Sequence, residues 1–296
     1  MRRGLGLGLT LVCLAAVLAA PPPASQKAEV VGTLTWESPD PRFGGISAIE
    51  LAPDGLGFIV VSDSAAFFAG RFTRGGDGAV TGATVDPPVL PVSLHGTPLE
   101  DWMNDAEGVA LAADGTLFVS YETHNRIVRY GDGGKAWRGE SWPDVFRTFA
   151  VNKGIEALAI DPEGRVLAIP EVPPGGGDTP VYHVIGQEAA VRFTLRRDRG
   201  WSSTGADFGP DGRLYLLERD FWPLLGFASR VRRITIDGDG VAGDEVIWQS
   251  DPGRRDNLEG IAAWADAKGN VRLTLVSDDN FLPVQKTELV DLRVTE

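Results

Sequence analysis

This chain of 296 residues has a single cysteine, Cys13, and only three histidines, His95, His124 and His183. The histidines are too scattered for a zinc site and Cys13 has no partner, so neither disulfides nor Cys-ligated zinc can carry the chemistry. Gly-x-Ser-x-Gly is absent, and Ser47, Ser202 and Ser203 have no identifiable base, which leaves no signature of a serine hydrolase. Basic residues are also scarce: 28 Lys and Arg face 41 Asp and Glu, a formal charge of −13. A surface of that sign repels nucleic acid and anionic lipid, and suits a cationic ligand or an anion that arrives with a cation.

The only long apolar run, Leu5 to Ala20, follows Arg2-Arg3 and precedes Pro21-Pro22-Pro23. It is too short to span a bilayer comfortably and has the order of a secretory signal peptide, expected over 1–20 with cleavage after Ala19. The expected division is then a signal peptide at 1–20, a Pro-rich linker at 21–28 and one domain at 29–296. The mature chain is expected in the periplasm or secreted, as a monomer without a stable membrane span. Loss of Arg2 and Arg3 leaves 26 basic against 41 acidic side chains, a charge of −15, and no thiol at all.

What the sequence does contain is a repeated unit. In Asp256-Asn-Leu-Glu259-Gly-Ile-Ala262 an acidic residue opens an apolar strand. A turn then leads to Leu273-Thr-Leu-Val-Ser-Asp278-Asp279. The same template runs from Asn104-Asp-Ala-Glu107-Gly-Val-Ala110 to Glu122, and from Lys153-Gly-Ile-Glu156-Ala-Leu-Ala159 to Glu171. Looser copies begin at Phe43-Gly-Gly-Ile-Ser47 and Ser203-Thr-Gly-Ala206. The positions aligned as equivalent are 44, 107, 156, 204 and 259, and repeats of such length with several short strands each indicate an all-β propeller. The 37 glycines and 20 prolines fit many short strands punctuated by turns.

Four strands per repeat can be found in all copies but the last. The expected fourth strands include Val85–Val92 in the first repeat and Phe146–Val151 in the second. The last repeat stops at three, and Val30 to Trp36 is a strand with nothing nearby to pair with. A single five-bladed propeller closed by that N-terminal strand follows, with a six-bladed ring left open.

Antiparallel neighbours joined at one end put the start of each first strand and the end of each second strand on a common face. Glu107, Glu156 and Glu259 should therefore converge at the mouth of the central channel. Asp63, Glu122, Glu171, Glu218, Asp278 and Asp279 are expected in a tier around them. Carboxylates crowded in a partly dry funnel need a proton or a hard cation between them, and oxygen-only ligands favour Ca²⁺ over Mg²⁺ or Mn²⁺. Glu107, Glu156, Glu259 and Asp278 form the candidate metal set. The competing reading, in which the three glutamates lock neighbouring blades by accepting backbone N–H groups, stays open. Arg42, Lys153 and Arg219 are the candidates to bind a small-molecule anionic ester. Trp201, Phe221 and Trp222 are candidates for an apolar funnel wall.

These motifs, with Val276-Ser-Asp-Asp-Asn-Phe281 and Gln285-Lys-Thr287, resemble the phytase-like, "esterase-like activity of phytase" family of secreted bacterial propellers. The resemblance covers nearly all of the mature chain, and Ala157 departs from it where the other copies have Gly. It implies a propeller that hydrolyses phosphate or carboxylic esters. A lactonase similar to the gluconolactonase and paraoxonase group, and a non-catalytic binding or scaffold propeller, remain as alternatives.

Overall fold

The computed structural model describes residues 26–100, 103–150 and 152–295. The expected signal peptide, Cys13 and most of the linker lie outside the described residues. Five four-stranded antiparallel sheets make up the fold. The first strand, β1, spans Ala28–Thr35, and blade I contains β2 (Ile46–Leu51), β3 (Gly57–Ser62), β4 (Phe67–Arg74) and β5 (Val80–Val85). Blade II contains β6 (Ala106–Leu111), β7 (Leu117–Tyr121), β8 (Arg126–Gly131) and β9 (Ala136–Ser141). Blade III contains β10 (Ile155–Ile160), β11 (Val166–Pro170), β12 (Thr179–Ile185) and β13 (Glu188–Leu195), and blade IV contains β14 (Ser202–Phe208), β15 (Leu214–Trp222), β16 (Gly226–Asp237) and β17 (Gly240–Gln249). Blade V is β18 (Asn257–Ala265), β19 (Val271–Asp278) and β20 (Glu288–Val294), completed by β1.

Closure is the expected one. β1 runs antiparallel to β20, from Ala28 opposite Val294 to Thr35 opposite Glu288. The next residue, Trp36, is buried edge-on to Phe43, Phe58 and Phe72 of blade I at 4.8, 5.0 and 5.4 Å. The strand that completes blade V therefore also anchors blade I. Five apolar clusters, one at each blade–blade interface, account for the core. The continuous apolar patterning of the inner strands follows from this, because both faces of a blade are covered. Among the described residues no helix is long and apolar enough to cross a membrane.

Two outer strands lie elsewhere than expected. In blade I the fourth strand is Val80–Val85 and not Val85–Val92. Pro87, Pro88 and Pro91 have no N–H to give to a ladder, and Val89 makes only an isolated bridge to Phe67. In blade II it is Ala136–Ser141, while Asp144–Thr148 forms a 3₁₀ turn. The apolar spacing there serves packing: Phe146 stacks on Phe149 at 5.5 Å and meets Tyr182 of blade III edge-on. The turns joining first and second strands are tight hairpins, as their Asp-Gly, Glu-Gly and Lys-Gly pairs require. Gly55, Gly115, Gly164, Gly212 and Gly269 all take positive φ.

Candidate functional site

The inner strands β2, β6, β10, β14 and β18 pack on one another in ring order around the channel. Each carries one irregularity in its pairing with the second strand, at Ser47, at Glu107–Gly108, at Glu156, at Thr204 and at Glu259. A bulge leaves its residue out of the ladder and re-aims the side chain. The bulges thus turn Ser47, Glu107, Glu156 and Glu259 into the channel mouth. The equivalent position in blade I is Ser47, three residues beyond the one aligned by sequence.

The mouth is a cavity of about 620 Å³ whose walls carry nine carboxylates and one guanidinium, that of Arg219. The carboxylates fall into two groups. On one side, Asp105, Glu107 and Glu122 bring ligand oxygens within 4.8 Å of one another. Glu122 is positioned by the Gly154 N–H, which donates to its Oε1 at 2.5 Å. Asp105 accepts from the Thr123 hydroxyl at 3.2 Å. No hydrogen bond reaches the Glu107 carboxylate among the described residues. Burial, then the charges of Glu156 and Glu259, push Glu107 well above the usual carboxylate range. Burial raises Glu122 to about 7 despite the Gly154 N–H.

On the other side the acids are organised by Arg219. It donates to Asn257 Oδ1 at 2.6 Å and to Glu259 Oε1, and its Nη2 lies 3.7 Å from Glu171. Asn257 Nδ2 donates to the same Glu259 oxygen at 2.8 Å. Lys153 reaches Glu171 from behind at 3.2 Å. Burial raises Asp278 to about 8, with Glu259 adding to it, and raises Asp63 to about 6.

Between the two groups stands Glu156, only 7% exposed. Its carboxylate lines the cavity and makes no hydrogen bond or ion pair among the described residues. Burial pushes it well above the usual range, and the field of Arg219 offsets part of that.

All four residues of the expected metal set, Glu107, Glu156, Glu259 and Asp278, face one cavity, as does Arg219. Lys153 stands behind Glu171 and outside the lining. Arg42 is half exposed, pairs with Asp40 at 2.8 Å and does not line the mouth. Of the outer tier, Asp63, Glu122, Glu171 and Asp278 line it. Glu218 is buried between Arg230 and Arg232 at 2.6 and 2.8 Å, and Asp279 holds its own loop by accepting from the N–H groups of Gly45 and Phe281. Phe221 lines the cavity, whereas Trp201 lies under Arg230. Sequence reasoning missed Asp105 and Asn257. Each sits two residues before a bulged glutamate, and that period-two spacing was the available signal.

A family model described as "Phytase-like: Esterase-like activity of phytase" matches residues 41–281. No curated protein matches the chain in sequence. Among solved structures, the chain is similar to the PQQ-bound aldose sugar dehydrogenase of Streptomyces coelicolor, with 14% identity, 92% of this chain and 99% of that one covered, and a TM-score of 0.50. It is also similar to a protein of unknown function from Dyadobacter fermentans, with 12% identity, 89% and 87% covered, and a TM-score of 0.47. For the virginiamycin B lyase of Staphylococcus aureus the values are 12%, 90%, 99% and 0.44. At such identity the likeness to the aldose sugar dehydrogenase concerns the fold alone.

Proposed function

Because the chain belongs to the phytase-like family, esterase-like activity of phytase, we propose that it is a divalent-cation-dependent hydrolase of an anionic ester, a phosphomonoester or carboxylic ester, acting in the periplasm or outside the cell. The observation that carries this reading is the Asp105, Glu107 and Glu122 cluster facing the unpartnered, buried Glu156 across one cavity. An unpaired buried carboxylate is costly, and so is a set of like charges with nothing between them.

The donor set fits a hard cation. All its ligand atoms are carboxylate oxygens, which suits Ca²⁺ and its flexible coordination better than Mg²⁺ or Mn²⁺. Asp105, Glu107 and Glu122 would hold it, with Glu156 on the facing wall. In this reading Glu259, whose Oε1 accepts from Arg219 and Asn257, is assigned to locking blades IV and V and is not counted among the cation's ligands. Asp278, raised to about 8, adds to the crowding on the Glu259 side. When bound, a divalent cation would polarise the ester oxygen and lower the pKa of a water beside it.

The chain's own residues supply the rest. Arg219, fixed by Glu259 and Asn257, supplies the guanidinium of the cavity lining that meets the substrate's negative charge. Glu156 accepts the proton of the attacking water, whose oxygen adds to the acyl carbon or phosphorus, and returns that proton to the alcohol oxygen as the ester bond breaks. Lys153 adds positive charge behind Glu171, and Arg42 is reserved to its pair with Asp40. The N-terminal Arg2-Arg3 and apolar run support export.

The test is calorimetric titration of chelator-stripped protein with CaCl₂, run on the wild type, Glu107→Gln and Glu156→Gln. It is joined to turnover assays on phosphomonoesters, aryl esters and lactones. Ca²⁺ binding that is lost in Glu107→Gln, with Ca²⁺-dependent turnover of the first two substrate types, is the expected result. Absence of divalent binding overturns the metal reading. Turnover of lactones alone favours a lactonase, and binding without turnover favours a binding propeller.

A further inference from the structure

Resting on that reading, we propose that the substrate is amphiphilic: its ester head enters the acidic mouth while an acyl or aryl group lies on an apolar rim built by two loops of blades IV and V. The first loop is the tip of the β15–β16 hairpin, which exposes Phe221, Trp222, Leu224 and Leu225, Leu224 fully. The second follows β19 and exposes Phe281, Leu282 and Val284. They are joined through the segment between β17 and β18. Gly253 N–H donates to Phe227 O at 2.8 Å, next to the hairpin tip. Asp256 accepts from Gln285 Nε2 and Lys286 N–H at 3.0 and 2.9 Å, at the base of the second loop. Among the described residues, half of the exposed large apolar side chains stand in these two loops, a concentration that marks a binding surface.

The rim is continuous with the cavity. Phe221 and Phe227 both line the mouth, with ring centroids 5.2 Å apart. On the other side the Phe281 ring covers Gly44 and Gly45, so close to Asp63 that a Cβ on Gly45 would meet both side chains. A ligand leaving the polar floor therefore passes directly onto aromatic surface.

Backbone strain at both tips supports the same conclusion. Leu224 takes φ 74°, and the consecutive residues Asn280 and Phe281 take φ 47° and 50°. The left-handed region brings a side chain's Cβ too close to the following carbonyl oxygen, so it is strained for any residue but glycine. Asp279 holds the second tip in place by accepting from Phe281 N–H and Gly45 N–H. Strain that keeps apolar side chains out in water has a use when a ligand covers them.

Charge excludes two other occupants. A second copy docked rim to rim would bring two mouths of nine carboxylates together. An anionic bilayer is repelled by a chain of net charge −13.

The experiment compares p-nitrophenyl esters from acetate to hexanoate, and in parallel the calorimetric affinity for methyl to hexyl phosphate, all below micelle-forming concentrations with Ca²⁺ present. We expect kcat/KM and affinity to rise with chain length, by up to about fourfold per buried methylene. Leu224→Ser combined with Leu225→Ser should collapse the hexanoate-to-acetate and hexyl-to-methyl ratios. Hydrolysis with no dependence on chain length overturns the rim while leaving the hydrolase reading intact. Chain-length-dependent binding without hydrolysis does the reverse. A wild-type dimer that the double variant converts to monomer makes the rim a self-association surface and overturns the proposal.

Discussion

Arg219 on β15 donates to Glu259, the bulged residue of β18, so the guanidinium of blade IV satisfies the inner-strand acid of blade V. Glu259 is 7% exposed and shares the same oxygen with Asn257 Nδ2. One ion pair thus joins two blades and shapes one wall of the mouth.

Arg219→Ala should then destabilise the protein by about 3–5 kcal/mol, because it leaves a buried carboxylate without its counter-charge. Arg219→Ala combined with Glu259→Gln should recover part of that loss, as the orphaned charge is removed as well. Urea unfolding of the three proteins measures both. An Arg219→Ala midpoint equal to the wild type would show that the pair carries no net stability.

The ring, its five blades and its closure were legible because each repeat carries the same apolar strands and hairpin glycines, three of the five carry the acidic position, and Val30 to Trp36 had no local partner. The outer strands were less so. Phe146 and Phe149 lie in an apolar stretch that reads as a strand, but their i, i+3 spacing suits the 3₁₀ turn with which they fill the gap between blades II and III. The division of labour among the acids was hidden for a related reason. Glu107, Glu156 and Glu259 occupy the same place in the repeat, and only the side chain that reaches each one from a neighbouring blade sets them apart.

The glycine after a bulged residue has a tertiary cause. A Cβ on Gly205 would lie 2.5 Å from Glu259 O, and one on Gly260 would lie 3.0 Å from Ala48 Cα. Both contacts are to the backbone of the next inner strand, which cannot swing aside. Gly205→Ala should cost on the order of 1–3 kcal/mol through overpacking. Gly164→Ala, with open space around it, should cost only the strain of its positive φ. Comparing their melting temperatures tests the distinction, and equal shifts would refute it.

Ring closure predicts a large effect at Trp36, which is buried against three phenylalanines of blade I. Trp36→Ala should lose about 3–5 kcal/mol and should also loosen β1, which it tethers. Hydrogen exchange resolved by residue would show early opening of β1 and β20. Loss of stability without faster exchange in β20 would separate the core role of Trp36 from closure.

Deeper in the channel Glu50 accepts from Leu111 N–H and Asp207 from Ala263 N–H, each across a blade interface. Burial raises Glu50 well above its ordinary value, with Asp207 adding to it, and raises Asp207 from 3.8 to about 7. A carboxyl whose folded pKa lies above its unfolded one stabilises fully below the unfolded value and less as pH rises through the folded one. Melting temperature in chelator should therefore fall between about pH 4 and pH 7, and Asp207→Asn should flatten part of the fall. A wild-type profile that rises over that window would contradict the assignment.

The funnel acids make the last prediction, in which one substitution should have opposite effects with and without metal. In chelator Glu107 is a half-buried carboxyl pushed up by desolvation and by the charges of Glu156 and Glu259, so ionising it works against the fold. Glu107→Gln removes that charge while keeping the shape, and near pH 8 it should raise the melting temperature. With Ca²⁺ the balance reverses. A ligand at 100 times its Kd stabilises by about 2.7 kcal/mol, a gain open to the wild type through Asp105, Glu107 and Glu122 and denied to a variant lacking one of the three charges. The two melting curves should cross as Ca²⁺ is added, the variant above in chelator and below at saturation. Parallel responses of the two proteins would mean that Glu107 holds no cation, and that the crowding at the mouth is relieved by protons alone.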